Sequence, residues 1–396
     1  MPKVNPDLLI WARETAYMTR EAAVKKLGIG DAHGVEAVQR LVDIETGKVC
    51  PTRPMLVKMA KQYRRPLLTF YLTVPPKRVE RGADFRSLPG DPSPETQAWL
   101  DALLRDVRVR QSMVRAVLED EEEDETLPFI GSGSIQDGKE KILESLQALL
   151  GIRRAQYRRQ RDAQTAFALL REKAEEAGVF VLLKGDLGSH HTALDVESFR
   201  GFTIADNVAP FVVINDRDAV TAWSFTLLHE LVHLILGHTA ISGGQSNSEI
   251  EGFCNDVAGE FLLPGRELEE VELNDGTVLD QVVFRIGEFA RIRHLSRSMV
   301  AYVAWRQNLI TWEVFESLAD RFRRDRLQAR EDRRVQARLS PGGPNYYVVR
   351  RHRIGTGLID LVHRMMNAGA LTTTKTAKIL DVKPKNLPKL FDSIGI

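Results

Sequence analysis

One segment restricts the possible folds of this chain more than any other: the apolar run 225–237, which contains His-Glu-Leu-Val-His. Residues four apart lie above one another on a helix, so the spacing of His229 and His233 predicts a helix with both imidazoles on one face. Two ring nitrogens placed in this way can bind one metal ion at about 2.0–2.1 Å, as in zinc enzymes. Glu230 follows directly and could take a proton from an attacking water molecule. A buried helix with two structural histidines would show the same pattern.

A third ligand is required, because catalytic zinc usually has three protein ligands and one open position. Residues 248–264 begin with a serine suited to cap a helix, carry apolar residues at helical spacing and end in proline. Glu251 lies in the first turn of this predicted helix, far enough after His233 for the chain to turn back. Asn255, one turn later, could hydrogen-bond to the ligand and orient it.

Other residues compete for the role of third ligand. Glu249 is a plausible rival to Glu251 in the same predicted helix. His238 does not fit, because a metzincin needs glycine three residues and histidine six residues after the second histidine. Cys254 is interpreted as a small buried residue rather than a ligand.

These segments resemble the ImmA/IrrE-type metallo-endopeptidases. The resemblance rests on the helix 225–238 and on Glu-x-x-Cys-Asn at 251–255, which is followed by Val-Ala and by Phe-Leu-Leu-Pro. The strand-like segments 201–206 and 209–215 and the tripeptide Asp84-Phe-Arg86 fit the family as well. The specific resemblance covers roughly residues 80–270.

The resemblance implies that His229, His233 and Glu251 bind one Zn²⁺ ion and that Glu230 is the general base. Members of this family often cut a partner protein, so the implied substrate is a transcriptional repressor or an antitoxin. The implied setting is a stress response, a mobile element or a toxin–antitoxin system.

The organisation along the chain predicts an α+β fold that is mostly helical. Residues 1–75 form an N-terminal helix-turn-helix-like bundle, 80–272 the metallopeptidase domain and 273–396 a helical C-terminal region. β-Branched and aromatic residues predict three strands, at 178–184, 199–206 and 209–215. We therefore expect a small sheet beside the metal-bearing helices, and the resemblance implies that this central core is gluzincin-like.

Residues 1–75 resemble the XRE-type helix-turn-helix, which makes DNA binding one possible function. The segment 29–48, which should carry the recognition helix, has more acidic than basic residues: Asp31, Glu36, Asp43 and Glu45 against Arg40 and Lys48. A base-reading helix should not be net negative toward phosphate. Contact with a protein partner and simple packing on the peptidase domain therefore remain alternatives.

The C-terminal region holds two further basic features. Arginines dominate 321–338, as on a solvated helix face or on a surface for an acidic partner. The last part of the chain again looks helix-turn-helix-like, with lysines at 375, 378, 383, 385 and 389.

The residue that would stabilise the oxyanion is left open by the sequence. His190 and His191 lie between two predicted strands, where they are either surface residues or donors near the metal. Tyr157, Arg200 and His294 are equally eligible.

Composition favours a soluble cytoplasmic protein without a membrane span. The net charge is +1, Cys50 and Cys254 are the two cysteines, and no run reaches the roughly 20 apolar residues that a bilayer requires. We therefore expect a zinc metallo-endopeptidase. The alternative is a DNA-binding regulator or antitoxin-like partner protein whose metal domain is not proteolytic.

Overall fold

The computed structural model describes residues 3–76, 93–237, 248–271, 279–339 and 345–393. Asp84-Phe-Arg86 and His238 lie outside these residues. The chain divides into two compact units. The described residues before 77 belong to the first unit, together with 93–106 and 186–194, and the others belong to the second.

The first unit is a small helical bundle in which side chains cap several helices. Thr19 accepts a hydrogen bond from the backbone N–H of Ala22, and Thr52 accepts one from Met55. The elements are α1 (Pro6–Glu14), α2 (Arg20–Leu27), α3 (Ala37–Glu45), α4 (Arg53–Gln62), a 3-10 helix (Leu67–Tyr71) and the first half of α5 (Pro94–Asp120).

An internal ion-pair cluster fixes α3 in this bundle. Glu45 is 1% exposed, and its carboxylate lies 2.5 Å from Nε of Arg13 and 2.9 Å from Nε of Arg20. One of the acids that count against DNA binding is therefore neutralised inside the bundle and not presented on its surface. DNA binding by this unit stays a prediction.

The second unit contains the sheet and most of the helices. Its first part holds α6 (Lys139–Leu150), α7 (Arg154–Arg158), α8 (Ala163–Glu176), β1 (Phe180–Leu183), β2 (Gly201–Ile204), β3 (Phe211–Ile214), α9 (Val220–Ile235) and α10 (Ser248–Leu262). The spacing of apolar residues predicts one helix over 154–177, but the structure has two. The carboxylate of Asp162 caps α8 by accepting a hydrogen bond from the backbone N–H of Thr165 at 2.8 Å, which starts a new helix there.

The sheet has the order β1-β3-β2. β1 pairs in parallel with β3, and β2 pairs antiparallel to β3 with Gly201 opposite Ile214. All residues of the three strands are buried, which fits their nearly continuous apolar sequence. Helix α9 packs on β2 and β3, and α10 packs on α9. The edge strand β2 is thereby placed next to the helix that carries the two histidines.

The described helices that follow belong to the same unit. They are α11 (Leu279–Ile292), α12 (Arg297–Arg306), α13 (Trp312–Leu339), α14 (Tyr346–Ile354), α15 (Thr356–Asn367), α16 (Thr373–Ile379) and α17 (Leu387–Asp392). One apolar core includes side chains from α6 through α13. The predicted fold class, α+β and mostly helical with a small sheet, is confirmed. No described helix is long and apolar enough to cross a bilayer.

Two charge clusters attach the last helices to the sheet, and the first of them is buried. Arg171 on α8 pairs with Glu175 and donates to the carbonyl oxygens of Val181 and His352, while Glu175 accepts from the backbone N–H of Gly357 at 2.9 Å. The second cluster surrounds Asp381, with the cations Arg110, Lys184 and Arg350 at 3.1, 3.3 and 3.5 Å from its carboxylate.

Candidate metal centre

Three side chains from α9 and α10 meet at one point. His229 and His233 lie one turn apart on α9, and their Nε2 atoms are 2.9 Å from each other. Glu251, in the first turn of α10, places its two carboxylate oxygens 3.4 Å from Nε2 of His229 and 3.2 Å from Nε2 of His233. These are the residues that the sequence analysis selects as ligands.

These distances fit a single small cation. Ligand atoms at about 2.0–2.1 Å from a tetrahedral zinc ion are about 3.4 Å apart. The three donor groups lie within 4.8 Å of one another, and the imidazole–carboxylate separations agree with that value. Two imidazoles and one carboxylate are also the ligand set of several zinc hydrolases. The residues present therefore fit the metal that the sequence suggests.

Burial of the trio is uneven. His229 is 1% exposed and His233 0%, whereas the side chain of Glu251 is 21% exposed. The part of α9 that carries the imidazoles is buried, so charges here are poorly screened. The two imidazoles are thus withdrawn from solvent, whereas the side chain of Glu251 is partly exposed.

Glu230 is held beside the trio by the edge strand. It is 1% exposed, and Oγ1 of Thr203 on β2 donates to its Oε2 at 3.0 Å. Gly201 lies on the same face of β2, and a Cβ there would stand 2.8 Å from Oε1 of Glu230 and 2.6 Å from Cγ2 of Thr226. The missing side chain of Gly201 thus makes room for the carboxylate.

Thr203 and Gly201 escaped the sequence analysis as functional residues. A strand with alternating residues on one face is the signal available in the sequence, because positions two apart share a face. This alternation does not indicate which residue of a helix will contact that face of β2. The contact depends on the packing of β2 on α9.

Cys254 and Asn255 point to different surroundings. Sγ of Cys254 lies 3.7 Å from Nδ1 of His233, and the residue is fully buried. Asn255 lines a hollow of about 190 Å³ together with Asp256 and Tyr302. The orienting role given to Asn255 stays a prediction, and Cys254 is the residue of this pair that contacts a histidine of the trio.

The C-terminal end of α10 is fixed by arginines of α7. Nε of Arg154 donates to the carbonyl oxygen of Phe261 at 2.6 Å, and Nη2 of Arg158 donates to that of Leu262 at 3.1 Å. Carbonyl groups in the last turn have no partner within a helix, so such donors stabilise the helix end. Helix α10, which carries Glu251, is therefore fixed by its packing on α9 and by the arginines at its C-terminal end.

Among the oxyanion candidates, Tyr157 and His294 are engaged with each other. The hydroxyl of Tyr157 donates to the carbonyl oxygen of His294 at 3.1 Å, and Nε2 of His294 lies 2.7 Å from the carbonyl oxygen of Gln160. Burial raises the pKa of Tyr157 to about 12, so this phenol stays neutral. Both side chains take part in fixing the turn before α12.

The other candidates lie at different places in the chain. Nη1 of Arg200 is 3.7 Å from the carboxylate of Asp218. His190 and His191 begin a 3-10 turn, His190–Thr192, which belongs to the first compact unit, and His191 is exposed. The assignment of an oxyanion donor to either histidine stays a prediction.

A mostly helical α+β unit with two helix-borne histidines, an acid between them and a carboxylate from the next helix is an arrangement typical of the metallopeptidase class. Comparison with known families supports this class. Residues 174–302 match the model of peptidase family M78, described as the IrrE N-terminal-like domain. The resemblance to the ImmA/IrrE-type metallopeptidases is thereby confirmed for this segment. No curated protein and no solved structure was found to match the chain.

Proposed function

We propose that this chain is a zinc-dependent endopeptidase. The proposal rests on one observation: the three donor groups of His229, His233 and Glu251 converge within 4.8 Å, with the side chain of Glu251 partly exposed. When bound there, zinc would polarise the scissile carbonyl group and lower the pKa of a water molecule.

Residues of the chain would transfer the protons and position the groups that react. Glu230 accepts the proton of the attacking water as the new C–O bond forms, and then returns it to the leaving amine nitrogen as the peptide C–N bond breaks. Thr203 holds that carboxylate by its hydrogen bond at 3.0 Å. The apolar walls around the histidines strengthen these electrostatic interactions by excluding water.

The substrate that we propose is a regulatory protein, a transcriptional repressor or an antitoxin. This part of the proposal is supported by the peptidase family of residues 174–302 and by the resemblance to regulatory peptidases. We place the reaction in the cytoplasm, in a stress response, a mobile element or a toxin–antitoxin system. The alternative, a DNA-binding regulator with a non-proteolytic metal domain, is tested by the same experiment.

Metal binding is tested with a matched pair of acids on α10. Glu251→Gln should strongly reduce zinc content after dialysis, measured by mass spectrometry of the metal. Glu249→Gln, an exposed position two residues earlier, should retain zinc. Loss of zinc from the Glu249 variant alone would reverse the ligand assignment.

Proteolysis is tested by co-expression with the products of adjacent genes, with N-terminal labelling of the cleavage products. Glu230→Gln should keep zinc and abolish cleavage. Cleavage that persists in Glu230→Gln would refute the general base. A salt-dependent gel shift without cleavage of any co-expressed protein would favour the DNA-binding alternative.

A further inference from the structure

The first unit contains a cavity that the peptidase proposal does not use. It has a volume of about 420 Å³, within the range of small-molecule sites. The segment between α1 and α2, the helices α2 and α5, and the end of α4 supply its walls. The side chains that matter to the argument are Tyr17, Lys26, Arg64, Glu95, Trp99 and Arg105.

Positive charge exceeds negative charge in this lining. Lys26 is paired with Glu95 at 3.2 Å. Arg64 and Arg105 are half-buried, and neither guanidinium has a hydrogen bond or an ion pair with any residue in the described part of the chain. Burying a charge without a partner is unfavourable. Two such charges at one cavity form a site that an anion would complete.

The two arginines also act on each other. Burial lowers the pKa of Arg105; Asp101 opposes this shift, and the charge of Arg64 adds to it. Burial likewise lowers the pKa of Arg64, and Glu95 opposes that shift. The residual repulsion between the guanidinium groups is what a bound anion would relieve.

The backbone supports the same interpretation. Tyr17 and Arg64 have φ angles of +52° each, at positions just after α1 and α4 where glycine is common. The chain keeps a large side chain at both positions, and both side chains line the cavity. Unfavourable backbone conformations of this kind tend to persist at functional sites.

Aromatic surface completes the lining. Trp99 contributes aromatic surface to the lining together with Tyr17, and Met18 and three alanines add small apolar surface. Guanidinium groups bind carboxylate and phosphate oxygens, and aromatic rings pack on planar ligands. We propose that this cavity binds a small organic anion, a planar ring that carries a carboxylate or a phosphate, with the anionic group between Arg64 and Arg105. This inference is independent of the peptidase proposal.

Binding is tested on the full-length protein by isothermal titration calorimetry. The carboxylate arm compares 2-naphthoate with 2-naphthamide, and the phosphate arm compares adenosine 5′-monophosphate with adenosine. In at least one arm the anion should bind with 1:1 stoichiometry and about tenfold more tightly than its uncharged counterpart, equivalent to about 1.4 kcal/mol. The arm that succeeds identifies the anionic group. Equal affinities within both arms would overturn the proposal.

Variants connect the binding to the cavity. Arg105→Gln and Arg64→Gln should each weaken the anion about tenfold, whereas Lys61→Gln, an exposed position on α4 outside the lining, should not. Full affinity in both arginine variants would contradict the site.

Thermal unfolding without ligand gives an independent readout. Removing an unpaired buried charge should leave the melting temperature unchanged or raise it. Arginines with a purely structural role would instead lower it when replaced. A lower melting temperature in both variants would therefore also overturn the proposal.

Discussion

Replacing Thr203 by valine removes one hydroxyl group and keeps the shape of the side chain. Oγ1 of Thr203 donates to Oε2 of Glu230 at 3.0 Å and to the backbone carbonyl of Glu230 at 3.2 Å. Both residues are essentially inaccessible, at 0% and 1% exposure, so solvent neither screens the interaction nor replaces it. A hydrogen bond to a charged group contributes about 1.5–3 kcal/mol.

We therefore expect Thr203→Val to lower the free energy of unfolding by about 1.5–3 kcal/mol. That loss corresponds to roughly 10- to 100-fold in the unfolding equilibrium constant. Valine itself suits a buried strand, so little of the change should come from packing. The measurement is urea-induced unfolding of the protein in the presence of a chelator.

A double-mutant cycle isolates the hydrogen bond from other effects. In the Glu230→Ala background the carboxylate is absent and the backbone carbonyl at 3.2 Å is the acceptor that remains, so Thr203→Val should cost about 0.5–1.5 kcal/mol, the value of a neutral hydrogen bond. Thr203→Ser, which keeps the donor, should remain coupled to Glu230. The reasoning is refuted if Thr203→Val destabilises the wild-type and Glu230→Ala proteins equally.

Three further perturbations have defined outcomes. Arg171→Met removes the cation that pairs with the buried carboxylate of Glu175 and should cost about 3–5 kcal/mol in urea unfolding. A cost below about 1 kcal/mol would contradict the buried pair. Burial alone would raise the pKa of Asp381, but Lys184, Arg110 and Arg350 lower it well below its ordinary value. Its contribution to stability is therefore present above the unfolded-state pKa and is lost as the pH falls toward the folded-state pKa. Asp381→Asn should destabilise the protein at pH 7 and flatten the acid side of the stability curve, and an unchanged curve would exclude this role. Gly201→Ala places a Cβ 2.6–2.8 Å from side-chain atoms on α9 and should cost about 1–3 kcal/mol; wild-type stability in that variant would show that the space is free.

Helix starts and strands could be predicted from the sequence because they depend on residues that are close together in the chain. Thr19 and Ser296 cap the helices that follow them, since a side-chain oxygen needs only the next turn of backbone. The three strands lie within their predicted ranges because β-branched and aromatic residues mark them. The break between α7 and α8 was missed, because residues 154–177 were predicted as one helix, whereas the side chain of Asp162 caps the start of a second one.

The amino-acid sequence by itself determined that His229 and His233 would share a helix face, because a spacing of four residues has one geometric meaning in a helix. It also determined the fold class, through the periods of its apolar residues. Only the tertiary structure decided that Glu251 closes on both imidazoles and that Thr203 holds Glu230. Those contacts join segments that are distant in the chain, and they depend on how α10 and β2 pack against α9.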